Sequence, residues 1–377
     1  MLRGETVVTK RERIETTLAF EQPDRVPLLG GWLLGDELQQ AIAGVGAEEY
    51  WRDPARYVVA TERALGVDAM IALRVPRWPG EYRGEESKEL FEQYKTKYQS
   101  PEDVLTFVRA LPSPDEALRR FDADGWRRQL IADIAAKRAL MGDIVYLPIL
   151  WEVVHPRFEW YPEFGYENYL MFLQLYPEEA MRLFASEVEV CRRKSRLVAE
   201  VYRELDLPPV TLIGADITGR DGPMVSPVLL EECYFSACRR SLEPLREAGI
   251  RTVWHSDGVI GPLVEPILRA GVSGFQGFQL EYGVDVADIA RHRTLDGDKL
   301  TIFAGLSTAG TLRFGTLEEI RRETEAIIDT LAGECALFIL PGNNILPDCP
   351  PENAVEMYHH AAEYSARRDR SRRATPA

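Results

Sequence analysis

The sequence predicts an α/β fold, a single (β/α)8 barrel with a helical extension ahead of it. Three observations lead there. From Asp143 onward, apolar runs of β character alternate with helix-patterned stretches at short spacing, which implies parallel strands joined by right-handed crossovers. The whole chain offers about eight such strands, the number that closes a barrel of this type. Several of them end on polar residues, as strands do at the C-terminal rim of such a barrel.

At 377 residues, with 45% hydrophobic and 28% charged side chains, the chain has enough apolar material for a full core. Its net charge of −15 argues against non-specific binding to nucleic acid or to an anionic membrane surface. No apolar run approaches a membrane span, and Met1 to Thr6 lacks the apolar core of a secretion signal. The five cysteines form no close pair, which suits a reducing, cytoplasmic setting. The expected organisation is a helical extension over residues 1–22, the barrel over 23–368 and a disordered tail over 369–377.

Taken in order, residues 9–20 read as a short amphipathic helix and Leu28 to Trp32 as the first strand. A helical stretch runs to about Leu65, and Val67 to Val75 is the second strand. Residues 81–113 show little period, with 93–98 as a candidate hairpin. A helix over 122–140 leads to a strand from Ile144 to Glu152, then to helices over 166–174 and 178–204. Pro209 to Asp216 is a strand that ends in a carboxylate. Ser226-Pro227 opens a helix to Ala248, with Ser at the N-cap and Pro in the first turn. Arg251 to His255 is the next strand, followed by a helix over 260–270. Strands at 274–281, 299–305 and 336–342 precede helices at 286–293, 316–332 and 351–368.

The stretch Arg251-Thr-Val-Trp-His255-Ser-Asp257-Gly258 concentrates the chemistry. Residues i and i+2 of a strand share a face, so an imidazole and a carboxylate emerge together where the strand meets its loop. Both are expected to face a cleft rather than the core, and Gly258 permits the turn that follows. Asp216, His255 and Asp257 are the candidate catalytic residues. Arg74, Trp151, Glu152, Glu281, Asn343 and Asn344 are candidates for substrate binding, and His255, Asp257 and Glu281 for a metal. Each has a structural reading beside the chemical one. Asp257 can cap a helix, Asp216 and Asp221 can brace the loop 218–223, Arg74 can pair with a barrel carboxylate, and Glu152 and His155 can be solvated loop residues. No Gly-x-Gly-x-x-Gly follows any strand, so neither nicotinamide nor flavin is expected.

Six segments carry a family resemblance: Arg11-Glu-Arg-Ile, Pro23-Asp-Arg-Val-Pro27, Asp216-Ile-Thr-Gly-Arg-Asp-Gly-Pro-Met-Val-Ser-Pro227, His255-Ser-Asp-Gly258, Phe303-Ala-Gly-Leu306, and Pro341-Gly-Asn-Asn-Ile-Leu-Pro-Asp-Cys-Pro-Pro-Glu-Asn353. In this order they resemble the uroporphyrinogen decarboxylase superfamily, in the branch that holds cobamide-dependent methyltransferases. The resemblance implies a TIM barrel with its ligand cleft at the C-terminal mouth. The heme-pathway decarboxylase of that superfamily carries Arg-Gln-Ala-Gly-Arg-Tyr after its first strand to grip propionates, and an Asp at the end of its second. Here those places read Gly30-Gly-Trp-Leu-Leu-Gly35 and Ala72-Leu-Arg74, so the tetrapyrrole grip is missing. The zinc methyltransferases place His-x-Cys where this chain has His255-Ser-Asp257, and a second Cys near Asn343.

The leading expectation is therefore a methyltransferase or demethylase component for a small methylated compound. It has zinc as a candidate metal and a corrinoid carried by a separate partner protein, because the chain has no Asp-x-His-x-x-Gly of its own. A homodimer is the expected assembly if the chain is not monomeric. Two alternatives stay open. One is a metal-free decarboxylase of a porphyrinogen or small carboxylate, in which Asp216 or Asp257 protonates a carbanion and Arg74 holds a carboxylate. The other is a non-catalytic protein that binds a tetrapyrrole or corrinoid.

Overall fold

The structure is a computed structural model and describes residues 8–82 and 96–374. Its strands are β1 (Leu29–Gly30), β2 (Ala69–Met70), β3 (Val145–Tyr146), β4 (Val210–Gly214), β5 (Thr218–Gly219), β6 (Gly222–Pro223), β7 (Arg251–His255), β8 (Gly274–Gln276), β9 (Thr301–Ala304) and β10 (Ala336–Ile339). The chain divides into two compact units, one of Met1–Tyr82, Ile134–Leu147 and Thr301–Ala377, the other of Arg83–Asp133 and Pro148–Leu300. The hairpin expected at 93–98 falls partly on residues 93–95, outside the described residues.

In the first unit, β9 pairs with β10, β1 with β2 and β2 with β3, all parallel. A parallel bridge from Leu28 to Ile339 joins the two sets. The opening helix, Lys10–Leu18, starts in a capping box between Thr9 and Glu12, which satisfies two otherwise orphaned donors. Asp68, with no exposed surface, ties this unit together. Its carboxylate accepts from Arg13 Nη1 at 2.6 Å, from Arg25 at 2.7 and 2.9 Å, and from the Leu28 amide at 2.8 Å. A buried carboxylate is tolerable only with such partners. Nearby, the buried carboxyl of Glu62 accepts the Gly31 amide at 2.8 Å, and burial pushes it up to about 7.

In the second unit, β4, β7 and β8 pair in parallel, and Ile149 bridges to Leu212 on β4. Helix Pro177–Glu204 packs against Ser236–Glu247. Phe158, Tyr169, Phe184, Tyr234 and Trp254 are fully buried between these elements, and aromatic rings of this size supply much of a core's apolar area.

Several expectations need correction. The long apolar runs read as strands contribute only two to five residues of ladder each, because the pairing register stops where the chain turns into its loops. Among the described residues of 81–113 lies one helix, Pro101–Arg109, capped by Ser100, and Ser113 caps the next, Pro114–Arg120. The helix after Pro227 is not uniform: Pro227–Leu230 passes into a π-helical turn, Glu231–Phe235, before Ser236–Glu247. Ser226 stands at its N-cap position without a side-chain hydrogen bond. The last helix, Pro351–Ala374, continues through the first residues of the expected tail. Among the described residues no helix is long and apolar enough to cross a membrane.

The Asp68 node yields a direct test. Replacing Asp68 by Ala removes the carboxylate partner of Arg25 and one of the two that hold the buried Arg13, which keeps Asp24; this should cost about 3 kcal/mol and lower Tm by roughly 4 °C. Thermal unfolding followed by circular dichroism measures it, and a change below about 1 kcal/mol would show that the node is dispensable.

Candidate active site

The site is assembled from neighbouring strands of the second unit. β4 and β7 pair so that Gly214 lies opposite His255. Gly214 has φ +149, and a β-carbon there would sit 2.2 Å from the His255 carbonyl oxygen; only glycine permits that approach. The chain then reaches Asp216 and folds through the β5–β6 hairpin, which is tied to the loop after β7. The Ile217 amide donates to Ser256 Oγ at 3.2 Å, Thr218 Oγ1 donates to the Asp257 carbonyl, and the Val259 amide donates to the Gly219 carbonyl at 3.0 Å. Gly258, at φ +86, lets Gly219 pack against it where a β-carbon would lie 2.4 Å from the Gly219 oxygen.

These contacts bring three polar side chains together. His255 Nε2 lies 3.4 Å from Asp257 Oδ1 and 3.7 Å from Asp216 Oδ1. The Asp257 amide donates to Asp216 Oδ1 at 3.0 Å, which fixes the two acids relative to each other. On the far side of the ring, Nδ1–H donates to Gln276 Oε1, delivered by β8 in register with His255. That bond sets the tautomer and turns Nε2 toward the carboxylates. Gly277 leaves room for the ring, since a β-carbon there would be 2.7 Å from Nδ1. The indole of Trp151 lies against the imidazole, with ring centroids 5.2 Å apart at 52°.

Burial opposes charge on His255, yet Asp257, Asp216 and Gln276 outweigh it and its pKa is raised. The Asp216 carboxyl is also raised, by burial first, with His255 pulling it down and Asp257 pushing it up. Behind them lie two acids of the loop that follows Leu150. Glu152, in the left-handed region at φ +46, accepts the amides of Phe158 and Glu159 at 2.6 and 2.8 Å. Its pKa is pushed up to about 8, by burial and then by Glu159. Glu159 in turn accepts from the Trp151 indole and the Asp216 amide.

The expected residues are thus placed unequally. Asp216, His255 and Asp257 converge, with one ligand atom from each within 4.8 Å of the others. Trp151 borders them, and Glu152 is a nearly buried clasp of its own loop rather than a solvated residue. His255 is itself buried, while the side chains of Asp216 and Asp257, toward which its Nε2 points, keep 37% and 36% exposure. Glu281 is exposed in a 3-10 turn, Leu280–Tyr282, and hydrogen-bonds Gln279 at 3.4 Å; it is not among the three converging groups. His155 is no solvated residue either: it is fully buried against Trp254, and burial lowers its pKa to about 4. Arg74, Asn343 and Asn344 belong to the first unit, where all three are half-buried and Asn343 Oδ1 accepts from the Asn344 amide at 2.6 Å. In that unit Cys349 is buried, with its thiol pushed up to about 12. Glu159 and Gln276 escaped the sequence reading. The second had a signal, since a polar residue inside an apolar strand beside a histidine strand is a natural partner for its ring.

The donor set fits a divalent cation. Tetrahedral zinc bound at about 2.0–2.2 Å holds its ligand atoms about 3.4 Å apart, close to the 3.4 and 3.7 Å observed between Nε2 and the two carboxylates. The Gln276 bond leaves the Nε2 lone pair facing that point, as when a ligating histidine donates its other ring N–H to an oxygen that fixes its orientation.

A model of the uroporphyrinogen decarboxylase (URO-D) family matches residues 162–364. Among solved structures, a methyltransferase from Methanosarcina mazei superposes with a TM-score of 0.58 at 16% identity, covering 94% of this chain and 99% of that one. No curated protein sequence matches the chain.

The Glu152 clasp predicts a pH dependence. Its pKa is 4.5 when solvated and about 8 in the fold, so the stability due to its proton is complete below 4.5. That stability is lost as pH rises toward about 8. E152Q keeps the acceptor oxygen and cannot ionise, so it should gain on wild type across that interval by on the order of a few kcal/mol. Tm measured against pH for both proteins checks this; parallel curves would refute it.

Proposed function

The chain belongs to the uroporphyrinogen decarboxylase (URO-D) family, and from that premise we propose that it is a methyltransferase of the family, acting on a small methylated substrate at Asp216, His255 and Asp257. In this reading the methyl group passes to a corrinoid on a separate protein. The observation that carries it is the fixed Nε2 of His255 facing two carboxylates at ligand spacing.

A methyl group transferred as an electrophile leaves the bonding pair on its heteroatom, so the site must stabilise that pair. When bound, zinc supplies the Lewis acidity that draws the pair toward itself. His255, Asp216 and Asp257 would hold it, with Asp216 in the place that the sequence assigned to Glu281. The protein's own share is preorganisation: Gln276 fixes the imidazole, the Asp257 amide orients Asp216, and the Trp151 indole gives an apolar wall beside the ring. This N/O donor set is harder than the thiolate-containing set of the zinc methyltransferases that the sequence resembles, since Asp257 stands where they carry a Cys.

A second reading has one observation in its favour. Burial raises the Asp216 carboxyl, so it can hold the proton that a carbanion needs after loss of CO2. Here the enzyme is a carboxy-lyase and no metal takes part.

Cation uptake separates the two. Equilibrium dialysis with Zn2+ should give about one equivalent for wild type and for E281A, with affinity at least about tenfold weaker in D216A and D257A. Wild-type turnover with no cation bound would instead favour the lyase. Under either reading uroporphyrinogen should not be converted to coproporphyrinogen, because no Arg stands in Gly30 to Gly35 to hold its propionates. Anaerobic incubation with chromatography of the porphyrins tests this, and stepwise decarboxylated products would disprove it.

A further inference from the structure

Glu159 lies outside the three converging groups, yet it touches two of the parts around them. Its Oε1 accepts the backbone amide of Asp216 at 2.9 Å and the indole N–H of Trp151 at 3.1 Å. The Tyr161 hydroxyl hydrogen-bonds the same carboxylate, and Tyr161 is itself held by stacking on Tyr166 at 4.2 Å. Glu159 is presented by the loop clasp, because Glu152 accepts its amide and that of Phe158. A residue far from β4 in sequence thereby sets where the chain leaves β4.

We infer that Glu159 is a positioning residue: one carboxylate oxygen joins the main chain of Asp216 to the indole of Trp151, and so locks both an acid and the apolar wall beside His255. The inference rests on the proposed cation-holding role of Asp216. Three constraints converge on the centre. The Asp216 amide is pulled toward Glu159, its carboxylate takes the Asp257 amide at 3.0 Å, and the indole is pinned by its N–H so that its ring stays 5.2 Å from the imidazole. Glu159 needs its reach and its acceptor oxygen for this task, not its charge. With that oxygen already taken by two donors, it is placed as a support for the ligands rather than as one of them. Supports of this kind change metal affinity without touching the metal.

Reach and charge are separable by substitution. E159Q keeps Oε1 and the chain length; E159D keeps the charge and shortens the reach; E159L removes the acceptor. Two measurements apply to each variant: Zn2+ affinity by equilibrium dialysis, and the emission of Trp151, taken as the difference spectrum between each protein and its W151F counterpart, since the chain has 7 tryptophans. E159Q should stay within about threefold of wild type in affinity, with Trp151 emission unchanged. E159D and E159L should lose about tenfold or more, with Trp151 emission shifted to the red as the indole is released. If E159L does not fold, E159D carries the test. Wild-type affinity and emission in E159D would overturn the inference, as would an E159Q as impaired as E159L. Should wild type bind no Zn2+, the cation role of Asp216 fails, and the emission of Trp151 alone still decides whether Glu159 positions it.

Discussion

At the end of β4 the main chain passes so close to β7 that a β-carbon on Gly214 would lie 2.2 Å from the His255 carbonyl oxygen, and the whole centre depends on that approach. It lets Asp216 arrive beside a histidine from the neighbouring strand, and lets the β5–β6 hairpin close over the loop that carries Asp257. Once there, the three side chains pose an electrostatic problem with a definite solution. Two acids crowd one buried imidazole, and the favourable occupant of the space at Nε2 is positive: a proton, which the raised pKa of His255 reflects, or a divalent cation, which must displace it. The same geometry serves both occupants.

Buried charge is handled alike elsewhere. Asp68 is surrounded by Arg13, Arg25 and the Leu28 amide, and this gives a structural role to two of the segments on which the sequence resemblance rests. Arg13 lies in Arg11-Glu-Arg-Ile and Arg25 in Pro23-Asp-Arg-Val-Pro27. Those motifs hold the frame of the first unit, where a carboxylate without partners would cost several kcal/mol.

The alternation of strand and helix was legible because side-chain periods of two and 3.6 are local properties. Element ends were not. Ser-Pro occurs at Ser100, Ser113 and Ser226; the first two cap their helices and the third does not. The dipeptide offers an acceptor in the right place, but the backbone leading into it decides whether that acceptor reaches N3. At Ser226 the entry comes straight from the β6 hairpin strand.

The site divides along the same line. His255 and Asp257 were readable from their spacing, and Asp216 from its place at a strand end. Glu281 was assigned by the same rule and misplaced, because β8 stops at Gln276 and Gly277, at φ +94, turns the chain away. The strand rule holds only as far as the ladder extends, and the residue in register with His255 is Gln276, so the partner of the imbedded ring comes from the last paired position rather than from the acid beyond it. Glu159 depends on more than register: a glutamate at positive φ must fold the loop back and offer two amides' worth of anchorage before Glu159 can face Asp216. Local period encodes which side chains a strand delivers to its end; what holds them there is encoded in contacts between distant segments, and these emerge only once the chain is folded.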